Sequence, residues 1–322
     1  MNFIVAVLSL FAIALVMMAV LAPLESLGWW AGWFPSPSAD RHGLSLDPVT
    51  GPLSSDSRFV VFLTGIGSMK AEVHIPEERV FLDHLIVRLP QIEIVDDIYP
   101  YSVTNTALTG NRIFSAFWRL VFRGKEARRP WGLIGNVRNM FQVMVSSDHR
   151  YGVMYDRGTT EIVLHGLARH GYPFGSGTPV YLLGYSGGGQ IAMGCASLVA
   201  EKLNAPVRII SLAGVFCSDP GQVDVEHIYH IHGSRDKVER LGRIIFPGRW
   251  PIMKNSFWNQ AREEDRVTII HMGDMTHNGP GSYLDADTTV DGVHSYLDKT
   301  VEEIAGIVTE TGASLPPIPE QA

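Results

Sequence analysis

The chain is poor in the residues that build disulfide and metal scaffolds. Its 322 residues include two cysteines, Cys195 and Cys217. That number excludes a disulfide-built fold, and with no CxxC pair or Cys/His array there is no structural zinc motif. Cys195 is expected well down a helix and Cys217 just past a strand. They are too far apart for a bridge, which needs Cα atoms within about 7 Å. Positive charge is also scarce: 26 Lys and Arg meet 33 Asp and Glu, a formal net charge of -7. A balance of that sign argues against general nucleic-acid binding. No internal repeat and no long single-residue tract is present. With 46% hydrophobic residues the chain is too apolar to be disordered as a whole, and it is long enough for one large domain with a core.

Charge is missing altogether from Met1 to Leu24, where FIVAVLSLFAIALVMMAVL is almost wholly apolar. A helix rises about 1.5 Å per residue, so this run is long enough for a hydrocarbon layer of roughly 30 Å. Trp29, Trp30 and Trp33 follow where an interfacial aromatic belt would sit. No Lys or Arg precedes the run and an Ala-x-Ala site is absent, so a retained single-pass anchor is expected ahead of a cleaved leader or a buried helix. The first arginine is Arg41, which leaves the side of the membrane open.

Composition divides the rest. Residues 1–34 read as anchor and interfacial segment. Pro35 to Arg58, rich in Pro, Ser, Gly and Asp, reads as a linker spanning 35–58. A domain is expected over 59–310 and a loose tail over 311–322. Within the domain, strand-like runs (FVVFLTG, IEIV, PVYLLG, VRIISLAG, HIYHIHG, RVTIIHM) are spaced by helical patterns. The helices are expected around Glu77 to Leu89, Tyr151 to His170, Gln190 to Leu203 and VHSYLDKTVEEIAGIV. Strands apolar throughout and separated by helices imply an α/β fold: a mostly parallel twisted sheet with helices on both faces. Ligands in such sheets sit at the strands' carboxyl ends.

One motif carries chemistry. VYLLGYSGGGQIAMG places Gly184-Tyr185-Ser186-Gly187-Gly188, a G-x-S-x-G pattern, between a strand and a helix. A chain with 32 glycines can match that pattern by chance, so the strand–turn–helix placement is what makes it informative. A serine in so tight a turn takes strained backbone geometry, and side chains at Gly184 and Gly188 would clash there. A serine hydroxyl needs a base, and the base needs an orienting carboxylate. HGSRDKV supplies Asp236 just past a strand, and HMGDMTHNGPG supplies His277 in the loop after the last one. The bland readings are turn punctuation for Ser186 and an ordinary loop or helix-capping role for Asp236. Asp219 is the rival acid. His271 and His294 are the rival bases, while His230 and His232 read as structural.

LTGIG after an early strand, GYSGG, HGSRDKV and the late His277 together resemble the α/β-hydrolase superfamily, from Phe59 to about Glu310. The resemblance implies Ser186 as nucleophile, Asp236 as orienting acid and His277 as general base. It implies an oxyanion hole from the backbone N–H of Gly187 and one from Thr64-Gly65-Ile66-Gly67, with Ile66 the expected second donor. Thr64 stands where the superfamily often has histidine. No cofactor and no metal is implied.

Two insertions are expected to cover the site, around 103–150 and 237–266. Asn111 to Trp131 carries six basic residues against one acidic, interleaved with aromatics, as in a helix lying on a membrane surface or a cap packed on the domain. The 237–266 stretch, with Ile244, Ile245, Phe246, Trp250 and Phe257, is expected to line an acyl pocket. The resulting expectation is a membrane-anchored serine hydrolase of small-molecule or lipid esters or thioesters. A non-catalytic binding protein of the same fold at a membrane, or a peptidase or acyltransferase, are the alternatives.

Overall fold

The computed structural model describes residues 58–68, 74–102 and 130–309, with 20–24, 26–32 and three isolated earlier positions. Six strands form one sheet: β1 (Phe59–Leu63), β2 (Glu93–Val95), β3 (Val180–Tyr185), β4 (Val207–Leu212), β5 (His227–His232) and β6 (Val267–His271). Their order is β2-β1-β3-β4-β5-β6, and every neighbouring pair is parallel. From residue 58 on, seven α-helices surround it among the described residues: α1 (Pro76–Arg88), α2 (Pro130–Ser146), α3 (Gly152–Arg169), α4 (Gly188–Leu203), α5 (Lys237–Ile245), α6 (Phe257–Glu263) and α7 (Tyr296–Thr309).

The sheet is covered on both faces because β1 and β3 bury every position and β4 all but Arg208. Successive side chains of a strand point to opposite faces. In β1, Phe59, Val61 and Leu63 join a cluster with Ile162 and Leu167 of α3 and Ile191 and Val199 of α4. Val60 and Phe62 join the other, with Phe81 and Leu85 of α1 and Leu297, Val301 and Ile304 of α7. All five residues of β1 and all six of β3 are buried. At the far edge β6 behaves differently, with Thr268, Ile269 and His271 exposed.

The local signals act as expected at several ends. Pro76 opens α1 at a position whose N–H would lack a partner anyway, and Glu77 and Glu78 sit in its first turn. Asn204 closes α4 in the left-handed region at φ +47°. The last helix begins at Tyr296 rather than at Val293, because Thr289 and Ser295 form an antiparallel bridge first. Helix α2 was not anticipated, since its sequence falls inside an expected cover.

Parallel pairing runs in one register, so the strands end together. Leu63 lies beside Gly184, Gly184 beside Ser211, and His232 beside His271. The chain leaves β1 toward β2 and returns to β3 on β1's other side. That reversal opens a crevice between the carboxyl ends of β1 and β3.

The expected anchor falls mostly outside the described residues. Among those described, no helix is long and apolar enough to cross a membrane. Residues 20–24 and 26–30 are helical, Ala22 is buried with the α3–α4 cluster, and Trp29 packs against it. The expected linker up to Ser57, the tail, Arg112 and the rest of the 103–129 stretch also lie outside the described residues.

Candidate active site

The crevice holds the G-x-S-x-G turn. Ser186 sits between β3 and α4 at φ +52°, a region that L-residues other than glycine seldom occupy. The flanking glycines have specific reasons. A Cβ on Gly188 would stand 2.1 Å from the Leu63 carbonyl oxygen, and one on Gly184 would stand 2.5 Å from the Gly188 carbonyl oxygen. The turn is thus wedged against β1 and against itself, and any side chain there would force it open.

Ser186 Oγ lies 2.8 Å from His277 Nε2. His277 Nδ1 lies 3.0 and 2.9 Å from the two carboxylate oxygens of Asp236. A carboxylate only accepts, so Nδ1 carries the proton and Nε2 is left to accept from the serine. Ser186, Asp236 and His277 are each buried, at 8%, 1% and 7% exposure. Three loops that follow β3, β5 and β6 therefore deliver three groups to one point, as the common strand register requires.

Asp236 is held from several sides. It is the N-cap of α5, and its Oδ1 accepts from the backbone N–H of Val238 and of Glu239, both at 2.9 Å. Tyr283 Oη donates to Asp236 Oδ2 at 3.0 Å and accepts from the Gly233 N–H. Burial and the nearby Asp236 push the Tyr283 phenol far up, so it remains a donor. Tyr185 donates to the His277 carbonyl at 3.0 Å and stacks on the imidazole at 6.0 Å between ring centroids.

The loop after β1 abuts the turn from the other side. A Cβ on Gly187 would stand 2.7 Å from Ile66 Cγ2 and 3.0 Å from Val143 Cγ2 of α2. Gly187 and the Ile66 side chain are thus in close contact across the turn. The loop is pinned by a fully buried carboxylate, Glu78 of α1. Glu78 accepts from Thr64 Oγ1 at 2.5 Å, from the Gly65 N–H at 2.9 Å and from Ser68 Oγ at 2.9 Å. Asn139 of α2 donates to the carbonyls of Ile66 and Ser68, each at 2.8 Å. Tyr101 donates to the Thr64 carbonyl at 2.7 Å. Thr64 is thereby a structural partner of Glu78.

The rivals are elsewhere. Asp219 caps a short turn through Gly221 N–H and accepts from Gln190 at 3.0 Å. His294 pairs with Asp291 on the surface at 2.9 Å, ahead of the last helix rather than in it. His271 lies on the exposed edge strand against His232, 4.5 Å between ring centroids. His230 is buried between Ser211 and Glu239, and burial lowers its pKa to about 4.

Sequence reasoning did not find Glu78, Tyr101, Asn139 or Tyr283. A glutamate in the first turn of a helix reads as dipole compensation, and nothing local says that it faces inward. The 237–266 stretch corrects an expectation. Ile244, Ile245, Trp250, Ile252 and Met253 are exposed to solvent instead of lining an enclosed pocket, while Trp258 packs into the core against Phe216. Of the stretch 103–150 expected to cover the site, 103–129 lies outside the described residues; in α2, Val143 packs beside Gly187 and Asn139 bonds the Ile66 carbonyl.

Cys195 and Cys217 are both buried free thiols. Among the described residues no group of three or more His, Cys, Asp or Glu is arranged to hold a metal ion. No protein-family model matches this chain, and no curated protein matches it in sequence.

Proposed function

We propose that the chain is a serine hydrolase of the α/β-hydrolase type, cleaving carboxylic esters or thioesters through an acyl-enzyme on Ser186. One observation carries this reading: a serine at φ +52° bonded to His277 at 2.8 Å, with His277 bonded in turn to a buried Asp236 at 2.9 Å. That seldom-used backbone conformation aims one hydroxyl at one imidazole, the arrangement an activated serine requires.

The steps follow from the groups present. Ser186 Oγ attacks the acyl carbon while His277 Nε2 takes its proton. Asp236 holds the ring and stabilises the imidazolium that forms. The carbonyl oxygen becomes an oxyanion facing the N–H groups of Gly187 and Ile66, beside the N-terminus of α4. The C–O or C–S bond breaks, and His277 returns its proton to the departing alcohol or thiol. Water then attacks the acyl carbon while His277 Nε2 takes its proton; the acyl C–Oγ bond breaks, the acid leaves, and His277 returns the proton to Ser186 Oγ. Water exclusion at the buried triad strengthens each of these interactions.

The charge-free run from Met1 to Leu24 supports placing the enzyme at a membrane as a single-pass anchored protein, with a lipid-like ester as substrate. Fluorophosphonate labelling tests the chemistry. The wild type should be labelled and folded Ser186→Ala should not. Labelling that persists in the variant, or a wild type that never labels and turns over no p-nitrophenyl ester, overturns the reading.

A further inference from the structure

Helix α5 is built inside out. Its inward face consists of Glu239 and Gly242. Its outward face carries Val238, Leu241, Ile244 and Ile245, and Leu241 and Ile244 are 54% and 60% exposed. A surface helix normally shows the reverse pattern. The helix is attached by polar groups instead: the Asp236 cap at its start, and Glu239 bonded to His230 at 3.0 Å and to Arg249 at 3.3 Å. Burial alone would favour the neutral acid, but the His230 hydrogen bond and the Arg249 and Arg243 charges outweigh it and hold Glu239 down at about 2. The apolar surface continues past the helix through Trp250, Ile252 and Met253, with Ile252 81% exposed. Contiguous exposed apolar surface of this kind marks a docking site.

Charge identifies the occupant. From Lys237 to Lys254 the one acidic residue is Glu239, which is buried. The exposed charges are Lys237, Arg240, Arg243 and Lys254, all positive on a chain of net charge -7. A second copy would bring the same positive rim. The chain's own 103–129 stretch is also basic, with Arg112, Arg119, Arg123, Lys125, Arg128 and Arg129 against Glu126, so it would be repelled from this face. An anionic lipid surface suits both the apolar centre and the cationic rim.

We propose that the outer face of α5 and the 250–254 loop form a membrane-docking surface for anionic lipid, placed so that docking brings the Asp236 end of α5, and with it the mouth of the site, to the bilayer. Delivery of a lipid ester to Ser186 rests on the serine-hydrolase reading, but lipid contact does not, and the two are measured separately.

The test uses the full chain with an environment-sensitive fluorophore on Ile244→Cys or Ile252→Cys. The native thiols Cys195 and Cys217 are buried and do not compete. Val87→Cys is the control: it is 63% exposed near the C-terminal end of α1, a helix that runs back toward the opposite end of the sheet. The protein is added to phosphatidylglycerol-containing vesicles and to purely phosphatidylcholine vesicles, each with nitroxide-labelled lipid. All variants carry the same N-terminal run, so a difference in quenching between positions reports the docking face. Quenching at 244 and 252 is expected in anionic vesicles, several-fold above that at 87. It should weaken with salt and with Arg240→Glu plus Lys254→Glu. The same result is expected on the Ser186→Ala background, and turnover of p-nitrophenyl acetate by the charge-reversed variant should stay at the wild-type level. Quenching at 244 and 252 no greater than at 87 overturns the proposal. So does a blue-shifted probe that lipid nitroxides do not quench, since protein then covers the face.

Discussion

Asp236 holds two positions at once, as acceptor for His277 and as N-cap of α5. The two can be separated by choice of replacement. Asp236→Asn keeps a capping oxygen for Val238 and Glu239, so the stability it loses, about 1–3 kcal/mol, comes from the bonds to Tyr283 and His277 and not from the cap. The variant should lose roughly four orders of magnitude in kcat, because the amide favours the wrong imidazole tautomer. Asp236→Ala should lose the activity and, with the cap, about 1 kcal/mol more stability than the Asn variant. Thermal melts beside ester kinetics check both, and an Asn variant that keeps near-normal turnover would remove Asp236 from the mechanism. His277→Ala should be equally inactive, and in combination with Ser186→Ala barely worse than Ser186→Ala alone, since members of such a set act as a unit. His271→Ala and His294→Ala should retain most activity. At Gly188 the contact to be made is with backbone, 2.1 Å from the Leu63 oxygen, which has no rotamer to give. Gly188→Ala should therefore cost 1–3 kcal/mol or more and displace Ser186, seen as a lowered Tm with lost fluorophosphonate labelling.

Helix α1 matters to the site through one side chain. Glu78 is the common acceptor for the whole Thr64–Ser68 loop, so Glu78→Gln replaces an acceptor by a donor facing Thr64, Ser68 or Gly65. The loop should loosen beside Gly187. A fall in kcat of about 10- to 100-fold with KM little changed is expected, below the 100- to 1,000-fold cost of deleting an oxyanion donor outright. Helices α3 and α4 meet over a second buried acid. Asp156 is raised well above its usual value, first by burial and then by the charge of Asp219, and Ser146 donates to it at 3.1 Å. A folded pKa above the unfolded 3.8 means that the native state holds the extra proton. Its contribution is full below about pH 3.8 and is lost as pH rises through the folded value. Asp156→Asn keeps the Ser146 bond and removes the titration. Its melting temperature should exceed that of wild type at pH 8, with the gap closing toward pH 4. A gap independent of pH would contradict this.

For the molecule as a whole, the sheet order and the charge distribution point the same way. The crevice between β1 and β3 places Ser186 centrally, with the wall from α2 on one side and the Asp236 end of α5 on the other. If the substrate is a lipid-like ester, each further CH₂ it buries contributes about 0.8 kcal/mol. The value of kcat/KM should then rise along a p-nitrophenyl ester series until the pocket is full. A rate highest for acetate and falling with every added carbon would make this a small-ester hydrolase.

The pattern of apolar strands and intervening helices was enough to specify a parallel sheet covered on both faces, because a strand apolar at every position has no solvent side. Gly184, Ser186 and Gly188 were readable for a related reason: a tight turn demands those residue types locally, wherever the rest of the chain goes. Asp236 and His277 were found by order and by position after strands, and the register of β3, β5 and β6 is what brings them together. Glu78, Asn139 and Tyr283 could not be read this way. Each acts on a loop 10 to 73 residues away in the chain, and whether a polar side chain faces water or a buried loop is set by long-range packing. The same limit applied to α5. Val238, Leu241 and Ile244 have the spacing of a core-facing stripe, and only the folded chain, by turning Glu239 inward to meet His230 and Arg249, decided that the stripe faces out. Periodicity gives a helix two faces; which one is buried is settled by where its ends are attached and what lies beneath it.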